Sequence, residues 1–301
     1  MASGDKRTRK QHYIPQVYLR GFSPEYKQKD GKGKDKSKYT IHCYDLEKMR
    51  QYPQAVPIES ICFEKDLYEV TNDKEEIVLP NYLETMLGSL ENMFGEYRRK
   101  LEQKAFRLEN LNTRCFLTKD EKDFWIAYMV IQILRMPDTL KSAEELGQEF
   151  WKGLNSNQAR NFAREVCLPF FTEIKEGSRE AVLVEAFSKP MQTMSVVIGV
   201  DTAGNIITGD KPIYFYSPSF SFNDIERVLF PITSKLCLYL VGGEEKKLLP
   251  KNTLFQIDAE DLEEITKSMT QAADKMIYSN HRLSKRELKQ VHEVMEEKMG
   301  G

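Results

Sequence analysis

The densest group of residues that could do chemistry lies near the N-terminus, in the segment HYIPQVYLRGFS at residues 12–23. Its polar residues His12, Gln16 and Arg20 are spaced by four. If the segment is helical, with Pro15 in the first turn, this spacing places all three side chains on one face. A histidine can accept or donate a proton, and an arginine can bind a phosphate or carboxylate through two hydrogen bonds. In the structural alternative, His12 bonds a backbone group and Arg20 forms an ion pair.

Two further polar residues, Gln132 and Arg135, stand three apart at the end of a long apolar segment. A buried arginine is costly unless it is paired, so Arg135 requires a carboxylate or a ligand. The candidate carboxylates are Glu84, Glu91 and Asp210. In the functional interpretation Gln132 and Arg135 line a polar cleft, and in the structural one they belong to an internal salt bridge.

Three acidic residues complete the candidate set. Glu84 and Glu91 are two helical turns apart, about 10 Å along one face, which is too far for one metal ion to bridge. Glu91 alone could join His12 and Asp210 around a divalent cation, with Glu91 and Asp210 as the candidate metal ligands, and the identity of any cofactor is left open. Asp210 ends a β-rich segment, and it either points into a cleft or bonds the backbone of its own turn. A solvated helix face is the alternative for the two glutamates.

A lysine-rich segment near the N-terminus could contact nucleic acid. Residues 1–40 carry eleven basic and four acidic side chains, a net charge of +7, whereas the whole chain has a net charge of −2. The excess is concentrated in KQKDGKGKDKSK at residues 27–38, where Lys32, Lys34 and Lys36 are candidate substrate-binding residues. A solvated loop without a ligand is the alternative.

The composition is typical of a folded protein. The 301 residues are 41% hydrophobic and 11% aromatic, enough for a substantial core. The near balance of 44 basic and 46 acidic residues argues against a polycation that coats nucleic acid. Five widely spaced cysteines without a CxxC pair indicate neither a zinc site nor a disulfide framework. No uncharged run approaches the roughly 20 residues that span a bilayer, so we expect no membrane partner. Each cysteine has apolar neighbours, as a small core residue does, which favours a reducing cytoplasm as the location.

The elements that must position these residues change in character along the chain. Strands and helices are grouped rather than alternating, which predicts an α+β fold. We expect one large domain over residues 1–301 with four regions: the N-terminal motif, basic loop and strands in 1–75, a helical block in 76–190, an antiparallel sheet of about four or five short strands in 191–245, and two helices in 246–301.

Local patterns predict several element boundaries. Apolar residues spaced by three and four from Tyr82 indicate an amphipathic helix, and the apolar run at 119–136 follows a capping-box pattern that predicts a buried helix. Asp201–Gly204 is predicted to be the hairpin turn between the first two strands of the sheet. The closing helices are predicted over Ala259–Ser279 and Ser284–Met299.

The segment HYIPQVYLRGFS resembles the opening HYxPQxYLRxF motif of a large bacterial family defined only as a domain of unknown function. Further segments are similar to later motifs of that family, in the same order: IHCYD, the spacing of Glu84 and Glu91, IQILRMP at 131–137, TGDKP at 208–212 and LFPITSKLCLYL at 229–240. Gly209 and Thr233 stand where the family has serine, so a hydroxyl at position 209 is not required here. The resemblance implies a fold and its boundaries, and it implies no reaction.

Together these residues favour a phosphodiester-cleaving, nuclease-like hydrolase, and phage defence is one setting that such a bacterial family suggests. The arginines would hold the phosphate, His12 would transfer a proton, and the acids would orient it or bind a cation. The rival hypothesis is a non-enzymatic module that binds a nucleotide, nucleic acid or peptide in the same cleft. In a third interpretation every candidate residue is a packing or ion-pair element. No protein partner is indicated.

Overall fold

The computed structural model describes residues 7–26, 39–107, 116–168, 182–219, 224–243 and 253–300. The predicted α+β class is confirmed: a helical block precedes antiparallel strands, and two helices close the chain. No helix within the described ranges has the length and apolar character needed to cross a bilayer.

The helices of the described residues are α1 (Gln16–Leu19), α2 (Tyr82–Ala105), α3 (Lys119–Leu134), α4 (Pro137–Phe150), α5 (Ser156–Cys167), α6 (Val182–Gln192), α7 (Ala259–Ala272) and α8 (Lys285–Gly300). The strands are β1 (Lys10–His12), β2 (Thr40–Asp45), β3 (Arg50–Gln51), β4 (Val56–Pro57), β5 (Phe63–Lys65), β6 (Ser195–Val200), β7 (Thr208–Gly209), β8 (Tyr214–Tyr216), β9 (Arg227–Thr233), β10 (Leu236–Val241), β11 (Thr253–Gln256) and β12 (Met276–Ser279). Single 3₁₀ turns follow α1 at Arg20–Phe22 and β4 at Ile58–Ser60.

The strands form three sheets. β1 and β5 make an antiparallel pair. A five-stranded sheet has the order β11-β6-β10-β9-β8, in which only the β11–β6 pair is parallel. The third sheet has the order β3-β2-β12-β7, with β4 also paired to β2. β6 and β10 are buried along their whole length, which accounts for their unbroken apolar sequences SVVIGV and LCLYLV.

The chain groups into two compact units, each assembled from separate segments. Unit 1 comprises Met1–Ile14, Cys62–Met93 and Trp125–Lys189, and unit 2 comprises Pro15–Ile61, Phe94–Phe124 and Pro190–Gly301. Unit 1 holds the β1–β5 pair with α4 and α5, and unit 2 holds the two larger sheets with α7 and α8. That residues 1–301 form one domain stays a prediction.

The capping patterns of the sequence are present in the structure. The Thr118 N–H donates to the Glu121 carboxylate at 2.8 Å, and the Glu121 N–H donates back to the Thr118 hydroxyl at 3.2 Å. Ser284 and Glu287 exchange the same two bonds at the start of α8. α3 ends at Leu134, and Pro137 is the first residue of α4, where its missing N–H costs nothing.

The predicted hairpin at Asp201–Gly204 was wrong, because β6 and β7 lie in different sheets. The Asp201 carboxylate accepts hydrogen bonds from the N–H groups of Ala203 and Asn205, so the turn is closed locally. The strands on either side of β6 are β10 and β11. The sequence predicted this sheet within residues 191–245. The structure adds β11, at Thr253–Gln256, as its edge strand next to β6.

The predicted helix over Ala259–Ser279 is seven residues too long. α7 ends at Ala272, and Met276–Ser279 forms β12 within the third sheet. The ammonium group of Lys298 donates to the carbonyls of Thr270 and Ala273, which satisfies the C-terminal end of the helix. This contact comes from α8, so no local pattern could reveal it.

Candidate functional site

The N-terminal motif is not one helix, so the prediction that its three polar residues share a helical face was wrong. His12 ends β1, where it is paired with Phe63 of β5. Pro15 is the N-cap of α1 and has extended backbone angles, Gln16 is the first helical residue, and Arg20 begins the 3₁₀ turn. A proline disfavours helical backbone angles in the residue before it, so the helix does not extend back past Pro15 and His12 remains in the strand.

The buried guanidinium group of Arg135 bonds three different protein groups. Its side chain is 1% exposed. Nε donates to the Tyr68 hydroxyl at 3.2 Å, Nη1 to the Glu91 carboxylate at 3.1 Å, and Nη2 to the His12 carbonyl at 2.6 Å. Burial alone would lower the pKa of Arg135. The interactions with Tyr68 and Glu91 raise it by more, so the pKa of Arg135 lies above its ordinary value. The carboxylate partner that a buried arginine requires is therefore Glu91, and a phosphate could replace it only if this ion pair opened.

Gln132 and Arg135 bind consecutive carbonyl groups of the N-terminal motif. Gln132 is buried, and its Nε2 donates to the Tyr13 carbonyl at 2.8 Å. Its Oε1 is buried, and no group within the described ranges bonds it. The two residues of the Q-x-x-R segment thus hold the backbone of His12 and Tyr13. The half-buried His12 imidazole lies against the Phe63 ring, with 5.6 Å between ring centroids.

Glu84 on α2 has the most perturbed carboxyl group of this cluster. It is half-buried, and its Oε2 is fully buried and finds no hydrogen-bond partner in the described part of the chain. Burial, then the negative charge of Glu91, raise the pKa of Glu84 to about 7, although Arg135 acts in the opposite direction. A carboxyl group with such a pKa can both donate and accept a proton near neutral pH.

Three residues of unit 1 that the sequence did not single out, Gln11, Tyr68 and Glu69, are linked by hydrogen bonds. The Tyr68 N–H donates to the Gln11 side-chain oxygen at 2.6 Å, and Gln11 Nε2 donates to the Glu69 carboxylate at 2.8 Å. Burial raises the pKa of Tyr68 to about 12, so its hydroxyl stays protonated, and it donates to the Arg135 carbonyl at 3.1 Å. The sequence signal for the two acidic residues near Arg135 is the seven-residue spacing of Glu84 and Glu91, and no such spacing indicates Gln11, Tyr68 or Glu69.

Unit 2 holds Gln16, Arg20 and Asp210. Gln16 is half-buried at the start of α1, and the Arg20 guanidinium lies 5.5 Å from the Tyr39 ring centre. Asp210 is 8% exposed. Its carboxylate accepts N–H groups of Asp274 and Lys275 at 2.9 Å and of Met276 at 3.2 Å. Burial raises the pKa of Asp210, and these three hydrogen bonds offset part of that effect.

The contacts of Asp210 support its structural interpretation in a modified form. The sequence suggested a bond to the backbone of its own turn, whereas the carboxylate binds the turn that precedes β12, more than sixty residues away. A catalytic or metal-binding role for Asp210 stays a prediction.

Other parts of the N-terminal motif pack within unit 2. The Tyr18 hydroxyl donates to the Pro231 carbonyl at 2.8 Å and shares a 2.7 Å hydrogen bond with the Thr208 hydroxyl. The Ser234 N–H donates to the Gly21 carbonyl at 3.0 Å. Tyr18 and Gly21 therefore join the segment HYIPQVYLRGFS to the segments TGDKP and LFPITS. These contacts stabilise unit 2.

One departure from the family pattern has a steric explanation. A Cβ atom on Gly209 would lie 2.8 Å from the Cβ of Ala273, closer than two such atoms approach in proteins. A serine at position 209 would therefore require the end of α7 to move.

The remaining site predictions are not tested by the structure. Lys32, Lys34 and Lys36 lie outside the described residues. Within the described ranges, no group of three or more His, Cys, Asp and Glu side chains is arranged to hold a metal ion. Glu91 belongs to unit 1 and Asp210 to unit 2, and their role as cation ligands stays a prediction.

Comparison with known families agrees with the sequence motifs. The model of the family described as Protein of unknown function (DUF4238) matches residues 10–282, which includes every motif discussed above. No match was found among curated proteins or among solved structures.

Proposed function

We propose a function for this chain, which belongs to the family Protein of unknown function (DUF4238), from the chemistry of its Glu84 site, because the family description names no reaction. The function is hydrolysis of a phosphodiester bond by acid–base catalysis, with Glu84 as the proton-transferring group. The observation that carries it is the Glu84 carboxyl group near the Arg135–Glu91 ion pair, because its buried Oε2 has no hydrogen-bond partner among the residues that the structure describes.

The environment of Glu84 suits a general acid or base. Such a group is most effective when its pKa lies near the working pH, and burial together with Glu91 brings the pKa of Glu84 to about 7. A structural carboxylate would instead have its lone pairs satisfied by donors, as those of Asp210 are. The unsatisfied oxygen therefore supports a role in which it accepts a proton from a reactant.

His12 is the second proton-transfer group of this proposal. In the reaction, the Glu84 carboxylate takes a proton from water, the water oxygen attacks phosphorus, and the protonated His12 imidazole gives a proton to the departing oxygen. The bond that breaks is the one between phosphorus and that oxygen. Arg135 positions His12 by binding its carbonyl, while Phe63 contacts the imidazole ring.

The substrate class is proposed from charge. The net charge of +7 over residues 1–40 would attract a polyanion, which favours nucleic acid. The cytoplasmic location is proposed from the cysteines, since the four in the described residues are all buried free thiols. A role in phage defence is part of the same hypothesis and rests on the family resemblance.

The test compares Glu84→Gln with a matched change on the same helix. Purified protein is incubated with labelled RNA and DNA, with and without Mg²⁺ or Mn²⁺. We expect Glu84→Gln to lower the cleavage rate by about 10²-fold or more, whereas Glu96→Gln, at an exposed position of α2, should leave it unchanged. Absence of cleavage by the unmodified chain under every condition, or equal rates for both variants, would contradict the proposal.

The binding-module hypothesis remains the second candidate, and one observation favours it. Each of the three guanidinium nitrogens of Arg135 already bonds a protein acceptor, so this arginine holds the fold together rather than a reacting phosphate. His12→Ala separates the two candidates. An enzyme would lose turnover while it kept its affinity for nucleic acid, whereas a binding module would lose affinity or show no change.

A further inference from the structure

Unit 1 contains a surface cavity that the proposed function does not use. It has a volume of about 450 Å³, and residues of β5, α4 and α5 line it. This volume falls within the range of small-molecule sites. The cavity wall includes Arg160 and Arg164, one helical turn apart on α5, together with Lys65 and Lys141.

Arg164 is the unusual residue of this wall. It is 5% exposed. Nε and Nη2 donate to the Leu67 carbonyl at 2.9 and 2.6 Å, and Nη1 donates to the Arg160 carbonyl at 3.1 Å. A guanidinium group has five N–H donors, so two of them are not accounted for by these bonds.

The charge of Arg164 lacks a direct counter-ion. None of the described residues places a carboxylate within 4 Å of its guanidinium, and Glu144 and Glu69 act on it only from longer range. Burial, then the positive charge of Arg160, lower the pKa of Arg164 to about 10. A buried cation is normally paired, because removal from water is costly. The same cost makes this group a strong partner for an anion that enters the cavity.

The carboxylates of the cavity wall are partly engaged elsewhere. Asp66 binds Arg7 at 2.9 Å, and Glu144 binds Arg160 at 3.4 Å. Glu64 and Asp138 also line the cavity. The opposite charges of the wall would limit which anions enter, and Arg164 is the buried cation among the lining residues.

We propose that this cavity binds a small phosphorylated metabolite, whose phosphate group takes the remaining donors of Arg164 and pairs with Arg160. A phosphate monoester carries close to two negative charges at neutral pH, which matches two neighbouring guanidinium groups better than a single carboxylate does. The cavity volume leaves room for a sugar or nucleoside attached to the phosphate.

The test is isothermal titration calorimetry on the full chain at low ionic strength. The probes are inorganic phosphate, adenosine 5′-monophosphate, adenosine and succinate. We expect binding of the two phosphate probes and none of adenosine or succinate. Arg164→Lys keeps the charge but loses the planar donors, so its affinity should fall at least about tenfold.

A second variant guards against misfolding of the buried substitution. Arg160→Gln changes an exposed residue and should weaken phosphate binding by about tenfold, whereas Lys152→Gln, exposed in the same unit but outside the cavity wall, should have no effect. The proposal is overturned if no phosphate probe binds the unmodified chain, if succinate binds as well as phosphate, or if Arg160→Gln binds phosphate normally.

Discussion

Nη2 of Arg135 donates a 2.6 Å hydrogen bond to the main-chain carbonyl of His12. Three residues earlier on α3, Gln132 makes the equivalent bond to the carbonyl of Tyr13. The buried helix thereby fixes the backbone path of the N-terminal motif through two main-chain carbonyls. Gln132 and Arg135, which look catalytic in the sequence, thus bind the backbone, and we propose the acid–base chemistry for Glu84 and His12.

The Arg135 contacts predict a large loss of stability when this side chain is removed. Arg135→Met should lower the free energy of unfolding by about 3–5 kcal/mol, because Glu91, the Tyr68 hydroxyl and the His12 carbonyl all lose a buried partner. Glu91→Gln should cost less, about 2–3 kcal/mol, because the amide oxygen can still accept from Arg135 although the buried guanidinium loses its counter-ion. Urea denaturation measures both, and an Arg135→Met variant within 1 kcal/mol of the unmodified chain would contradict this assignment.

The raised pKa of Glu84 predicts a specific dependence of stability on pH. The folded state binds this proton more tightly than the unfolded state does, because the pKa is about 7 when folded against an ordinary 4.5. The stabilisation is therefore complete below about pH 4.5 and is lost as the pH rises through about 7. Glu84→Gln removes the effect, so it should match the unmodified chain at about pH 4 and exceed its stability by about 2–3 kcal/mol at about pH 8.

The control for this pH series is Glu96→Gln, whose stability curve should run parallel to that of the unmodified chain. Denaturation at several pH values checks both variants. A constant difference between Glu84→Gln and the unmodified chain from pH 4 to pH 8 would show that Glu84 does not titrate in this range.

Asp210 accepts three backbone N–H groups, so its substitution tests whether its role is structural or catalytic. Asp210→Ala leaves them without an acceptor and should cost about 3 kcal/mol, and Asp210→Asn should cost less because one oxygen remains. Asp274→Asn breaks only the exposed ion pair with Lys211 and should change stability by less than about 0.5 kcal/mol. Thermal unfolding distinguishes them, and an Asp210→Ala protein that is fully stable but inactive would favour the catalytic interpretation.

Close packing around Gly21 predicts a coupled pair of substitutions. A Cβ atom at this position would lie 3.0 Å from Cγ2 of Thr233 and 3.1 Å from the carbonyl oxygen of Ile232. Gly21→Ala should therefore destabilise the chain by about 1–3 kcal/mol. Thr233→Ser removes the methyl group, so the double variant should recover part of this loss, and strictly additive effects in a double-mutant cycle would show that the contact is absent.

Sequence patterns predicted the elements whose boundaries depend on near neighbours. The capping box of Thr118 and Glu121 and the apolar run behind it locate α3, since both signals lie within a few residues of the helix start. The end of α7 could not be predicted in this way. Asp210 and Lys298 hold the chain at residues 270–276, and both are distant in sequence.

In the candidate site, too, the sequence predicted some features, whereas others depend on neighbours that only the fold brings together. The need of Arg135 for a carboxylate follows from burial cost alone, and Glu91 was among the three candidates. The special status of Glu84 depends on an oxygen that is buried without a donor, which its spacing from Glu91 does not reveal. Arg164 was missed for a similar reason, because its sequence context reads as an ordinary charged helix.

The most direct test of the account is a ¹³C NMR titration of the Glu84 side-chain carboxyl carbon, assigned by comparison with Glu84→Gln. We expect a midpoint near pH 7. In Glu91→Gln the midpoint should lie lower, because the negative charge of Glu91 no longer raises the pKa of Glu84. A midpoint at the ordinary value of 4.5 would contradict the account, since the Glu84 carboxylate would then be too weak a base for efficient proton transfer near neutral pH.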